Sequence, residues 1–233
     1  MSQSFNLYQL QRIDTKMDQL RQRVEKANVA IKDHKEIDTL QENLHSIEKT
    51  RDELLDNIGS IDAEIQSKKI KINQSESSLY GGKVQNPKEL QALQAEIASL
   101  TNFVNAKEKE LSVLMQEFES MEIQVDKART TLEDGVALKQ KNDQRLSEEN
   151  HTNLKDLEKL DSERQLAVSQ IKPQHLVTYE EIRKKKKNIA VTIVEDNTCS
   201  ACGSSITPSD WQAARSPDQI IFCPSCSRIL YAG

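Results

Sequence analysis

Apolar residues recur in alternating steps of three and four through most of the first 170 positions of this 233-residue chain, with one strong turn signal between two long runs. That spacing lays them along a single stripe of an α-helix, and a stripe of this width is buried by packing against another helix. The first stripe comprises Leu10, Ile13, Met17, Leu20, Val24, Ala27 and Ile31. It resumes after a six-residue step at Ile37 and continues through Leu40, Leu44, Ile47, Arg51, Leu54, Ile58, Ile61, Ile65, Lys68 and Ile72. The long step is a phase fault, which bends or overwinds a coiled coil locally. The second stripe runs Leu90, Leu93, Ile97, Leu100, Val104, Lys107, Leu111, Leu114, Phe118, Met121, Val125, Ala128 and Leu132, broken only by Lys107.

Between the stripes lies the segment Ser75 to Pro87, with Gly81-Gly82 and Asn86-Pro87. Glycine and proline at such density mark a turn, and proline with Glu89 behind it starts a new helix. A short connection makes the helices antiparallel neighbours, so the chain folds back on itself. Pairing about this turn sets Ile72 beside Leu90, Ile65 beside Ile97, Leu44 near Phe118 and Leu10 near residue 152. The stripe lapses between Gly135 and Asn153, which predicts a bend near Gly135. It then resumes with Leu154, Leu157, Leu160, Val168 and Ile171 before Pro173 ends the helix. The first helix does not fully cover this last stretch, so the C-terminal module or a second copy of the chain is expected to pack there; a homodimer is the alternative cover.

The composition agrees with long helices rather than a thick core: 30% charged, 4% aromatic, six glycines and five prolines. No apolar run approaches the roughly 18 residues that span a bilayer. The first ten residues lack the basic and apolar character of a signal peptide, so a cytoplasmic, reducing location is the expectation.

All four cysteines fall near the end, as Cys199-x-x-Cys202 and Cys223-x-x-Cys226 separated by twenty residues. Two residues between thiols let one tight turn aim both sulfurs at a single metal, and two such knuckles complete a tetrahedron. The expectation is one structural Zn²⁺ held by Cys199, Cys202, Cys223 and Cys226, stabilising a domain too small to fold unaided. Arg215 and Arg228 balance Asp210 and Asp218, so four thiolates and one Zn²⁺ leave the ribbon at about −2, unfavourable for phosphate binding by the ribbon alone. Before it, Leu176, Tyr179 and Ile182 mark a short helix, Arg183, Lys184, Lys185, Lys186 and Lys187 form a basic run, and Ile189 to Val194 alternate as a strand. Ile220 to Phe222 and Ile229 to Tyr231 supply two further strands of a three-stranded ribbon, and Ser209 with Gln212 resembles a capping box for a helical turn carrying Trp211.

The segment Leu79-Tyr80-Gly81-Gly82-Lys83-Val84-Gln85-Asn86-Pro87-Lys88-Glu89-Leu90, together with the ending Cys226-Ser227-Arg228-Ile229-Leu230-Tyr231, resembles the bacterial family of coiled-coil hairpin proteins with a C-terminal C4-type zinc ribbon. The resemblance covers essentially the whole chain. It implies a non-enzymatic protein, predicted to bind nucleic acid, with some members partnering an alternative sigma factor of RNA polymerase or flagellar and type III secretion components. One departure is visible: Ser227 stands where the family usually has glycine.

The resulting expectation is a mainly α protein: an antiparallel coiled-coil hairpin over residues 1–172 with its turn at about 75–87, a connecting helix, basic run and strand over 173–198, and a C4 zinc ribbon over 199–233. Gly81-Gly82-Lys83 lacks the spacer and trailing hydroxyl of a P-loop. Glu148-Glu149 and Glu180-Glu181 point to different sides of a helix and make poor acid–base pairs, while His34, His45, His151 and His175 lie apart from the cysteines; no enzyme is indicated. Two functions remain: an adaptor for protein partners, of transcription or secretion machinery, or an RNA- or DNA-binding protein acting through Arg183, Lys184, Lys185, Lys186, Lys187, Arg215 and Arg228, with Trp211, Phe222 and Tyr231 as ribbon core or base-stacking surface.

Overall fold

The computed structural model describes residues 2–82 and 85–233. Helices α1 (Gln3–Lys32), α2 (Lys35–Tyr80), α3 (Pro87–Ser169) and α4 (Pro173–Lys185) precede strands β1 (Val191–Glu195) and β2 (Thr198–Cys199), helix α5 (Pro208–Ala214), and strands β3 (Ile221–Phe222) and β4 (Ile229–Tyr231). The chain divides into two compact units, one of residues up to Lys32 and from Asn142 onward, the other of Asp33–Lys141.

The second unit is an antiparallel coiled coil of α2 with the first part of α3. Every predicted stripe position from Ile37 to Ile72 and from Leu90 to Leu132 is at least partly buried, and Ile61, Ile65 and Val104 form its tightest cluster. Lys107, the apparent flaw, lies on the seam edge and pairs with Glu110 at 2.8 Å. The phase fault between Ile31 and Ile37 is a complete helix break. Asp33 accepts a hydrogen bond from the Lys35 amide, and Glu36 and Asp38 complement the positive end of the new helix.

The register differs from the expected pairing. Lys69 bridges Glu108 at 2.7 Å, where the expected pairing would have set it near residue 93, and Arg129 reaches Glu48 at 3.2 Å. Helical side chains lean toward their own N-termini, which are opposite directions in an antiparallel pair, so contacting residues lie farther along the chain than levels counted from the turn. The turn is also shorter than expected, since α2 continues to Tyr80; Lys83, within the Gly81-Gly82-Lys83 segment, lies outside the described residues. No break occurs at Gly135. Helix α3 runs through it, and a Cβ there would lie 2.9 Å from Leu40 Cδ1, so the glycine leaves room for the tip of that side chain.

In the first unit the seam of α3 continues in phase but turns polar: Asp143, Leu146, Asn150, Asn153, Leu157 and Leu160 face inward, and Leu154 is exposed. Asn150 donates to Asn28 of α1 at 2.9 Å. Nearer its start, α1 is covered on more than one side. Leu7 and Leu10 pack with Ile171 of the α3–α4 turn, Tyr179 of α4, and Ala190, Val191 and Ile229 of the sheet region, with Ala167 and Val168 alongside; Leu10 therefore lies well beyond its expected neighbour at residue 152. The C-terminal module is the cover anticipated for the end of the long helix.

Buried polar groups fasten this packing. Asp14, 2% exposed, accepts hydrogen bonds from Arg164 Nε at 2.7 Å and the Tyr179 hydroxyl at 2.8 Å, with Arg183 Nε 3.7 Å away. Arg164 also holds Glu180, and Arg183 holds Asp18. Burial, then the neighbouring Asp14 charge, pushes the Tyr179 hydroxyl far above the usual tyrosine range.

Candidate metal centre

The ribbon is a four-stranded sheet in the order β2-β1-β4-β3, one strand more than expected. Strands β1 and β2 form a hairpin whose register, Val194 opposite Cys199 and Glu195 opposite Thr198, leaves Asp196-Asn197 as a two-residue loop. Both loop residues have positive φ, 49° and 59°, the requirement of a type I′ turn, and Asp and Asn tolerate it well. Strand β4 pairs parallel with β1 and antiparallel with β3. Helix α5 is capped by Thr207, whose hydroxyl accepts from the Asp210 amide with Pro208 at the first helical position; this replaces the expected Ser209–Gln212 box.

Each cysteine pair sits on an equivalent knuckle. The Gly203 amide donates to Cys199 O at 2.8 Å and the Ser227 amide to Cys223 O at 2.9 Å, while Cys199 N donates to Ser204 O and Cys223 N to Arg228 O. The residue after each second cysteine has positive φ, Gly203 at 74° and Ser227 at 59°. Ser227 therefore occupies a left-handed position with a Cβ, a strain of about 1 kcal/mol that glycine avoids.

The four sulfurs lie within 4.8 Å of one another. Cys199 Sγ is 3.8 Å from Cys226 Sγ, and Cys202 Sγ is 3.7 Å from Cys223 Sγ. A tetrahedron of thiolates around zinc, with Zn–S of about 2.3 Å, has edges of about 3.8 Å, so the donor set fits one Zn²⁺. Cys199 and Cys223 are buried, Cys226 is half-buried and Cys202 is exposed. Thr192 Oγ1 lies 3.6 Å from Cys199 Sγ, accepts from the Ala201 amide at 3.1 Å and is hydrogen-bonded to the Ser200 hydroxyl at 2.8 Å. Ser204 Oγ stands 3.4 Å from Cys202 Sγ. Hydrogen bonds from the Ser204 hydroxyl and amide pull the Cys202 thiol down to about 6, whereas burial pushes Cys223 up to about 12. This split belongs to metal-free thiols. Zinc takes all four as thiolates, and protons compete with it for the buried sulfurs. Thr192 and Ser204 were invisible in the cysteine spacing because their roles depend on strand pairing and turn geometry.

The residues named for nucleic-acid contact separate structurally. Arg183 is engaged with Asp14 and Asp18; Arg228 donates to Ile189 O at 3.0 Å and Lys186 O at 3.3 Å; Arg215 lies over the Trp211 ring at 4.9 Å. Lys184, Lys185 and Lys187 are exposed, and Lys186 is half-buried at the end of α4. Trp211 packs in the ribbon core, Tyr231 stacks on Tyr8 of α1 with ring centres 5.0 Å apart, and Phe222 is exposed. Among the described residues, no helix is long and apolar enough to cross a membrane.

Comparison with known proteins places these features together. CT398 from Chlamydia trachomatis, solved at 2.12 Å, superimposes with a TM-score of 0.82 at 23% identity, covering 99% of this chain and 98% of that one. A protein from Mycobacterium smegmatis gives a TM-score of 0.67 at 18% identity over 98% of this chain and 97% of that one. The HP0958 protein from Helicobacter pylori gives 0.53 at 18% over 99% and 97%. These likenesses show the fold, with long helices in a hairpin-like arrangement and a small strand-containing ribbon. No curated protein matches the chain by sequence. The C4-type zinc ribbon domain family matches residues 198–230, the stretch that holds all four cysteines. With the CT398-like coiled coil hairpin domain matching residues 10–187, the chain belongs to that family of coiled-coil hairpin proteins.

Proposed function

We propose that this protein is a non-catalytic adaptor, whose zinc ribbon and helical surfaces bind protein partners in the reducing cytoplasm. The observation that carries this reading is that the ribbon is joined to α1 through buried hydrogen bonds and a shared core, so head and helix base form one body. Such a body presents a fixed surface, and fixed surfaces bind without the entropic cost of ordering. The family resemblance directs attention to partners in transcription or secretion machinery.

A second reading, RNA or DNA binding, draws on the exposed Lys184, Lys185 and Lys187 beside the ribbon. Affinity capture of the tagged full chain from its own cells, with and without nuclease, separates the two. Specific proteins retained after nuclease and lost with Cys223→Ser support the adaptor. Recovery of nucleic acid alone, with an affinity whose salt dependence flattens when those lysines are neutralised, overturns it in favour of the second reading.

A further inference from the structure

Strands β1 and β4 have two working faces. On one, Val191 and Ile229 join Leu7 and Leu10 of α1; on the other, Val194 and Leu230 join Cys199 and Cys223. Adjacent residues of the chain entering β1 link the two faces. Thr192 sits beside Cys199 Sγ and receives the Ala201 amide of the first knuckle. One residue earlier, Gln11 of α1 behaves like a neighbouring strand: its Oε1 accepts from the Ala190 and Val191 amides at 2.6 Å each, and its Nε2 donates to Val191 O at 2.8 Å. The start of α1 draws further partners from the same region, since the Gln3 amide donates to Pro217 O at 2.9 Å and Ser4 Oγ to Ala214 O at 3.2 Å. The buried hydrogen bonds of Ser4 and Gln11 are thus made to residues 190–231, a segment too small to hold a core without metal. Gln3 and Asn6 also bind the α3–α4 turn, at Gln170 O and the Lys172 amide. Outside the ribbon, Leu7 and Leu10 also touch Ile171 and Tyr179, and from Asp14 onward the anchors are Arg164 of α3 and Tyr179 of α4.

We propose that zinc occupancy controls the order of the chain's own first helix. With metal bound, residues 3–11 are held between the ribbon and the α3–α4 turn; on its loss they keep only the turn and loosen, and Thr192 and Gln11 carry the coupling. A helix end of this length has little stability without tertiary packing. Coupling of this kind is reciprocal, so a weakened α1 contact lowers zinc affinity by the same factor.

The test is hydrogen exchange on the full-length protein, zinc-loaded and after treatment with a chelator. Peptides covering 3–11 are expected to exchange at least tenfold faster after zinc removal, together with those from 191–231, while peptides from 58–72 keep their rates and added zinc restores protection. Free exchange in 191–231 with residues 3–11 still protected overturns the proposal, as does equal loss throughout 58–72, which would mean general unfolding. Gln11→Ala is expected to weaken zinc binding, read by chelator competition, while residues 191–231 stay protected in the zinc-loaded variant; unchanged affinity overturns the route through Gln11. Thr192→Val is expected to reduce the zinc-dependent change in residues 3–11 and Thr192→Ser to restore it; failure of that pattern removes Thr192 from the route. None of these readouts involves a partner, so they stand apart from the adaptor assignment.

Discussion

Replacing Asp14 with alanine removes a carboxylate that is 2% exposed and joins three helices. The Tyr179 hydroxyl, on a fully buried residue, loses its acceptor, an unsatisfied group that costs about 1–3 kcal/mol. Arg164 keeps Glu180 and Arg183 keeps Asp18, so neither guanidinium is stripped of charge partners, but both lose their most buried one. Breaking a buried pair from one side costs about 3–5 kcal/mol when the remaining charge is left uncompensated. With both guanidiniums still paired, Asp14→Ala is expected to cost about 1–3 kcal/mol, set mainly by the Tyr179 hydroxyl. Tyr179→Phe leaves the carboxylate with its guanidiniums and should cost about 1.5–3 kcal/mol, the worth of one hydrogen bond to a charged group. The double variant should cost less than the sum, because both remove the same bond. Trp211 is the chain's single tryptophan and lies in the ribbon of the same compact unit, so its fluorescence during denaturant unfolding reports on this region. A loss below about 1 kcal/mol for Asp14→Ala, or strict additivity of the two substitutions, would refute the reasoning.

Alkaline pH offers an independent reading of the same site. Because the folded-state pKa of Tyr179 is raised, its contribution is complete below the ordinary tyrosine value of about 10 and is lost as pH rises beyond it; absorbance titration should show its phenolate emerging only as Trp211 fluorescence reports unfolding, and Tyr179→Phe should reduce the alkaline loss. Ser227→Gly should stabilise the zinc-loaded ribbon by up to about 1 kcal/mol, since relief of left-handed strain is partly offset by the freedom glycine adds to the unfolded chain; a fall in the thermal midpoint would count against the strain. Gly135→Ala should gain up to about 1 kcal/mol of helix propensity, because only the tip of Leu40 must move, whereas Gly135→Leu should lower stability. Thermal unfolding followed by far-ultraviolet circular dichroism distinguishes the two signs.

The coiled coil of α2 with the first part of α3 was legible because its seam is apolar: from Ile37 to Ile72 and from Leu90 to Leu132 the predicted positions are all at least partly buried. The missing members elsewhere are polar. Asn150 and Asn153 keep the heptad phase of α3 while carrying no hydrophobic signal, so a change of chemistry read as a lapse and a bend. Along α1, Ser4, Leu7, Gln11 and Asp14 form a second stripe in steps of three, four and three. Its spacing was present in the sequence, yet only the tertiary partners explain why amide and carboxylate side chains occupy it. The cysteine quartet showed the converse. Its pattern named the ligands, and the left-handed conformation at Ser227 followed from the departure from glycine, but Thr192 needed the pairing of β1 with β2 to come beside Cys199.

The hydrogen bonds between Gln11 and the start of β1 join residues separated by 179 and 180 positions, and the Ser4 bond to Ala214 spans 210. During synthesis at roughly 5–20 residues per second, the opening helix therefore waits on the order of 10–40 s before its partners emerge from the ribosome. The α2–α3 seam, whose strands of chain are separated by a short turn, has the means to close earlier. Leu7 and Leu10 are consequently an apolar surface that stays open to a nascent-chain chaperone until Ile171, Tyr179, Ala190, Val191 and Ile229 have followed.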